Sequence, residues 1–522
     1  MNYAVRDVAC MDHSQKGQVV AKSASGEPYL RANHPGDSLG AAAIRGGSWV
    51  LLAQAICTGV RVVSSIILAR LLMPADFGLY AMVVAVSAGL LIFKDLGLCD
   101  AIIQWPNLTD RQISSLFWVN LGMSLAIAAC LAVVSPVLSR FYGEPRLAGI
   151  AVVWSLTIVF GALSAQHLAL LKRAMLFAGV SKLVMVAAII SNVGAVALAW
   201  HGAGYWALVL REVMNEAVTA TGAWFLCRWR PQRFSRRSGI RPMLVFGGHS
   251  VASFIIRRTT RNLDRTLLGW RFGPVATGYY HMAFEQAAMF TSLITEPLRN
   301  VAVSSLSKLR EHPERFRQHY LKAIAGVAFA SFAATVVLVA ASGDLVAILL
   351  GPKWQPAGDI LRILGLSAGV SAIYMTNIWL HFSLGRADRM ARWTILEVAL
   401  IGVGVTVGLR FGARGVAWGY CVSMFFLCIP GILYAGRPVG LALRDMIAAL
   451  WRPAVAAVVA GFACWYVVLT TGFVQAHSAR IVIFCALFGS VYVCLVVILS
   501  GGIKPVRSSL DFLKSAYRRV GR

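Results

Sequence analysis

Acidic residues are scarce in this chain: 22 Asp and Glu stand against 49 Lys and Arg in 522 residues, and charged residues make up only 14%. Soluble domains carry about 25% charged residues. A surface this poor in charge could not stay in water, so lipid is the expected solvent for most of the chain. Cysteine is sparse too. The ten cysteines stand singly, as at Cys57, Cys130, Cys421 and Cys464, with no CxxC pair. That argues against disulfides or thiolate metal sites and reads them as small buried hydrophobes. No G-x-x-x-x-G-K-[ST] phosphate loop appears, which excludes ATP hydrolysis through that motif, and there is no H-E-x-x-H pair or metal-ligand cluster. No outward loop is long enough for a soluble catalytic domain. No enzymatic activity, cofactor or metal is therefore expected. A cleavable signal peptide is not seen either: residues 1–40 are polar, and the first long apolar run begins near Ser48.

What the chain does have is apolar length. Hydrophobic residues make up 58%, with mean hydropathy +0.69. A helix needs roughly 20 apolar residues to cross a bilayer, and about fourteen such runs follow one another: 47–69, 77–98, 113–139, 147–171, 176–200, 203–226, 244–269, 275–300, 321–341, 360–383, 393–410, 414–435, 451–470 and 480–500. The fold class is an all-α polytopic membrane protein. A net charge of +27 could suggest a nucleic-acid partner, but the basic residues sit in short clusters between apolar runs. One set of loops carries Arg228, Arg230, Arg233, Arg236, Arg237 and Arg241, then Lys308 and Arg310, then Arg386, Arg389 and Arg392. The opposite loops hold isolated cations such as Arg70, Arg140 and Lys353. The positive-inside rule then places both termini in the cytoplasm, which requires an even number of spans.

A shift of 200 residues brings the two halves into partial register. Gly47 meets Gly247, Arg61 meets Arg261, Pro74 meets Pro274, Gly78 meets Gly278, Tyr80 meets Tyr280 and Met82 meets Met282. An even number of intervening spans preserves direction, so the halves are expected as parallel repeats with substrate near the midplane between them. The expected organisation is a cytoplasmic tail over 1–43, a six-helix lobe over 44–227 and a basic loop over 228–243. A second six-helix lobe follows over 244–436, then a helix pair over 437–502 and a basic tail over 503–522. Aromatic residues near span ends, among them Trp49, Trp200, Trp354 and Trp451, read as interfacial anchors.

Ionisable side chains inside spans are costly and usually face a cavity or a partner. Arg61 lies near mid-depth, and Gln54, Thr58, Arg61 and Ser65 share a helical face expected to point inward. In the seventh run Arg257, Arg261 and Arg265 recur every four residues, with Arg258 and Asp264 beside them. Guanidinium groups bind phosphate oxygens bidentately and stay charged. A cavity lined by Arg61, Arg257, Arg258, Arg261 and Arg265 would attract an anion, and a pyrophosphate fits. The competing expectation is that these arginines pair with Glu212, Glu216, Glu285 or Glu397 and serve packing. Asp264, Glu212 and Glu216 are candidates for ion coupling or for such internal pairing.

The segment Gly47-Ser48-Trp49 through Leu68-Ala69-Arg70-Leu71-Leu72, followed by Pro74-Ala75-Asp76-Phe77-Gly78-Leu79-Tyr80, resembles the start of the polysaccharide transporter family. These are the Wzx-type flippases of the multidrug/oligosaccharidyl-lipid/polysaccharide (MOP) superfamily. Asn262-Leu263-Asp264-Arg265, Gly278-Tyr279-Tyr280, the stretch from Pro297 to Lys308, and Leu350-Gly351-Pro352-Lys353-Trp354 are similar to its second half. The resemblance implies two six-helix lobes around a cationic cavity, plus an added helix pair. It implies ATP-independent alternating access for an undecaprenyl-diphosphate-linked oligosaccharide, with coupling to an ion gradient. Membrane lipids and the polymerase or export machinery of the same pathway are the implied partners. A subgroup exporting acidic exopolysaccharide or colanic-acid-type units is nearest in pattern. The alternatives are a multidrug extruder, which should carry carboxylates inside its lobes, a membrane polymerase or ligase of lipid-linked glycans, and a scaffold.

Overall fold

In the computed structural model the described residues are 39–88, 90, 102, 108–235, 238–241, 243–244, 262–471 and 477–502. They are mostly helical, with short turns and an irregular stretch over 227–235, and nine stretches among them are long and apolar enough to cross a membrane. The first group comprises α1 (Leu39–Leu71), α2 (Pro74–Ser87), α3 (Asp110–Tyr142), α4 (Arg146–Arg173), α5 (Phe177–Trp200) and α6 (Tyr205–Leu226). The second comprises α7 (Leu263–Ser307), α8 (Pro313–Ala340), α9 (Ser342–Leu349), α10 (Gln355–Tyr374), α11 (Thr376–Ser383), α12 (Ala387–Gly408) and α13 (Gly412–Gly436). A closing pair, α14 (Leu443–Thr471) and α15 (His477–Ser500), packs on itself and on α8 and α9.

Local sequence sets the ends of these helices. Thr109 caps α3 in a reciprocal box with Gln112, each side chain taking the other's backbone N–H. Pro74 opens α2 at the first position, where its missing N–H costs nothing. Asp76, one turn on, accepts from the backbone N–H of Met73 at 2.9 Å and of Tyr205 at 3.1 Å, tying the starts of α2 and α6 together. In α7 the helix reverses at Gly273, whose φ of 76° lies in the left-handed region open to glycine. Its short first arm therefore folds back along the long second arm. The second arm begins at Pro274, in agreement with the expected eighth span. The seventh span, expected over 244–269, falls largely on 245–261, outside the described residues, and the second half of the expected 77–98 span likewise. The tenth expected span is broken at Met375 into α10 and α11.

The two groups meet along α2 and the second arm of α7. A Cβ on Gly78 would lie 1.7 Å from the carbonyl oxygen of Pro274, and one on Gly278 would lie 1.9 Å from that of Pro74. The contact is reciprocal between positions 200 residues apart, as in an isologous interface between two copies. The 200-residue register is thus a physical one: each Pro-x-x-x-Gly turn seats its proline carbonyl on the other's glycine.

At the same end, the turn over 351–354 reaches across to α1. Trp354 Nε1 donates to the Ala69 carbonyl at 2.8 Å, and Lys353 Nζ donates to that of Arg70 at 2.7 Å. Arg70 donates back to the Ile348 carbonyl. Trp354, expected as a lipid-interface anchor, is instead fully buried, edge-on to Phe77 at 5.2 Å between ring centroids. Trp200 and Trp451 remain exposed.

Candidate inter-lobe site

Beneath the sealed end lies a chamber of about 480 Å³, bounded by α2, α7, α10, α12 and α13. Its wall holds Asp264 and Arg265 from the first arm of α7, Glu285 and Glu296 from the second, and Glu397 from α12. The reversal at Gly273 brings these together. Tyr280 donates to Asp264 Oδ2 at 2.7 Å, and the Arg265 backbone N–H donates to Asp264 Oδ1 at 2.8 Å. The Arg265 guanidinium donates to Glu285 at 3.0 Å and to Asn262 Oδ1 at 2.9 Å, and lies 4.7 Å from the Phe284 ring centroid. Its Nε is buried with no acceptor among the described residues. Arg265 therefore lines a cavity, as expected of it, while its charge is held by Glu285, one of the carboxylates named as an alternative partner.

The first half carries a matching arrangement. Tyr80, the counterpart of Tyr280, donates to Glu212 at 3.3 Å, and Glu212 is paired with Arg211 at 2.8 Å. Each repeat-related tyrosine thus serves a carboxylate that sits beside an arginine in sequence. Between the halves, His281 lies 6.0 Å from the Tyr80 ring and 4.0 Å from Glu285. The Gly-x-Tyr pattern common to the halves combines two needs: glycine for the close crossing, and a tyrosine hydroxyl for a carboxylate, which is buried at Asp264 and half-buried at Glu212.

Arg61 stands apart from this cluster. It lies on the exposed side of α1, along with Gln54, and Thr58 and Ser65 are half-buried beside it. Among the described residues no ion pair joins it, and α1 packs along α5. Glu216 lies one turn beyond Glu212 on α6 and is half-buried and engaged. Arg257, Arg258 and Arg261 lie outside the described residues. Arg211 was not anticipated: neighbours at i and i+1 do not ordinarily face each other on a helix, yet here both reach the Tyr80 hydroxyl of α2 and bond each other directly. The Gly-x-Tyr repeat was the available signal.

The chain matches the family model described as "Polysaccharide biosynthesis protein" over residues 67–359. It is similar to the lipopolysaccharide biosynthesis protein WzxC of Escherichia coli (strain K12), with 23% identity over 418 residues, 78% of this chain and 84% of the relative. It is also similar to the teichuronic acid biosynthesis protein TuaB of Bacillus subtilis (strain 168), with 23% identity over 381 residues, 72% and 79% of the two chains. Among solved structures, the lipid II flippase MurJ in an inward closed conformation superposes with TM-score 0.70 at 13% identity, covering 86% of this chain and 98% of that one. An inward-facing multidrug resistance transporter of the MOP superfamily gives 0.57 at 15% identity, covering 73% and 94%. These likenesses fix the fold as that of the MOP transporters.

Proposed function

The chain belongs to the polysaccharide biosynthesis protein family, and on that premise we propose that it is a flippase moving lipid-linked oligosaccharide across the inner membrane by alternating access. The observation that carries this is the reciprocal seal of two repeat halves at one end of a polar chamber. A seal made of two small glycine crossings and a few hydrogen bonds can part without unfolding either half. With basic loops in the cytoplasm, the sealed end faces the periplasm and the conformation is inward-facing. The lobes would be 44–227 and 244–436, with 437–502 appended. The substrate would be an undecaprenyl-diphosphate glycan received from, and passed to, enzymes of the same pathway. Its diphosphate would dock on Arg61 and the arginines Arg257, Arg258 and Arg261, with Arg265 at the edge of the glycan space.

Charge reversal at Arg61 and Arg261, in a strain that depends on this chain for polysaccharide export, tests the reading. Loss of export, with the protein at normal level and lipid-linked units retained on the cytoplasmic side, supports it. Undisturbed export with both reversed removes it.

One observation favours a second reading, an extruder of cationic compounds: Glu285, Glu296 and Glu397 line the chamber, with Arg265 the one cation in its described wall. Efflux of a lipophilic cationic dye, abolished by Glu397→Gln while polysaccharide export persists, would decide for it.

A further inference from the structure

We propose that the wall given to the chamber by the second half binds the glycan through the sugars' hydrogen-bond donors, so that the part of the glycan seated there is neutral, with unblocked hydroxyl and acetamido N–H groups. This rests on the flippase reading and names the class of sugar that the chamber takes. The wall comes from the second arm of α7, from α10 and from α12. Its space of about 480 Å³ falls in the roughly 300–1,000 Å³ range of small-ligand sites, room for a short run of sugar rings.

Ser and Thr hydroxyls can donate as well as accept. Here the helices have taken the hydrogens. Ser292 donates to the Met289 carbonyl at 2.8 Å, Thr295 to that of Thr291 at 3.0 Å, and Thr394 to that of Met390 at 2.9 Å. Thr291 divides its hydrogen between the Ala287 and Ala368 carbonyls, at 3.1 and 3.3 Å. These oxygens keep lone pairs and have no hydrogen left to offer. The Tyr374 hydroxyl accepts from Trp393 Nε1 at 2.8 Å and interacts with Glu397, and the Arg265 guanidinium is engaged by Glu285 and Asn262.

The carboxylates add acceptors without a matching excess of charge. The side chains of Glu285 and Glu296 are each more than half exposed, yet Glu285 is paired with Arg265 at 3.0 Å and Glu296 with Arg299 at 3.3 Å. An ionised carboxylate has about four lone-pair sites, more than one arginine contact uses. Half-buried Glu397 supplies a third acceptor group from α12. A buried donor without an acceptor is costly, and a sugar ring carries several donors that this wall can satisfy. Acyl, ketal or ether groups on the same hydroxyls would set oxygen against oxygen. A cation without N–H or O–H groups would gain little from carboxylates already paired.

The test uses the full-length protein in nanodiscs. The probe is the repeat-unit oligosaccharide released by mild acid from the polysaccharide that the strain exports, before and after methylation of its hydroxyl and amide groups. Calorimetric titration should show the methylated glycan binding on the order of tenfold more weakly, the worth of one hydrogen bond to a charged acceptor. Methyl groups also add bulk, so Glu397→Gln is the second measurement. Its amide N–H offers a donor where the carboxylate had none: the native glycan should bind several-fold more weakly, the methylated one more tightly, and the gap should close. Tetraphenylphosphonium, a cation with no donor, should leave the native glycan in place. Equal binding of the two glycans overturns the proposal, as does a gap unchanged in Glu397→Gln, displacement by tetraphenylphosphonium, or no binding of either glycan. The flippase reading is judged separately, by export with Arg61 and Arg261 reversed: lost export beside any of those results leaves it standing without this wall, and undisturbed export removes both.

Discussion

At the scale of single residues, buried hydroxyls and indoles set the energies. Tyr280→Phe would leave Asp264 Oδ2 without its 2.7 Å donor on a side chain that is only 4% exposed. A buried acceptor left unpaired costs about 1–3 kcal/mol, so a lowered thermal midpoint in detergent is the expected result, with Tyr279→Phe, whose hydroxyl donates to the Lys353 carbonyl at 3.3 Å, a milder control. Trp354→Phe keeps a ring against Phe77 but loses the N–H to Ala69. About 1 kcal/mol less closure should appear as several-fold faster labelling of a cysteine introduced into the chamber wall by an impermeant thiol reagent added from the sealed side. Arg265 was legible as a chamber-lining cation because every fourth position in its run is arginine. Its capture by Glu285 was not, because the two are 20 residues apart and meet only through the reversal at Gly273.

At the scale of elements, crossings and turns decide. The turn between α3 and α4 lies outside the spans, and there Arg146 holds the Glu144 carboxyl below the usual carboxylate range through paired hydrogen bonds of 2.7 and 3.0 Å. A depressed carboxylate adds stability that is present at neutral pH and is lost as the pH falls through its folded-state value. Arg146→Ala should therefore return the Glu144 titration to the ordinary range and remove that acid-side loss, read by carboxyl NMR on a labelled sample. The crossing of α2 and α7 leaves no room for any side chain. Gly78→Ala forces the helices apart at the Pro274 carbonyl; overpacking of this kind costs about 1–3 kcal/mol. Gly278→Ala strains the same crossing from the other side. The double variant should thus cost less than the sum of the singles, a non-additivity measurable as a double-mutant cycle on the closed-state population.

At the scale of the whole molecule, the arrangement of two like halves plus a helix pair was readable from apolar runs, from basic loops and from the 200-residue register, because each is a property of sequence spacing. The carboxylates of the chamber wall were not: Glu285, Glu296 and Glu397 come from α7 and α12, which sequence spacing cannot place side by side, while Arg257, Arg258 and Arg261, on which a cationic space was expected, lie outside the described residues. Substrate polarity is the matching expectation for the whole protein: Glu397→Lys should shift tolerance toward more anionic glycans, measured by export in strains making neutral or uronic-acid-bearing units.

The bonds from Trp354 and Lys353 to the last turn of α1 span 285 and 283 residues of sequence. During synthesis at about 5–20 residues per second, α1 emerges some 15–60 s before the turn that fastens it. Its final carbonyls must meanwhile be satisfied by interfacial water, and the first half waits in the bilayer as an unlatched intermediate. Biogenesis of this chain is therefore paced by its second half, and a ribosome that stops before residue 353 leaves in the membrane a bundle whose outer edge was built to be closed by a segment it does not have.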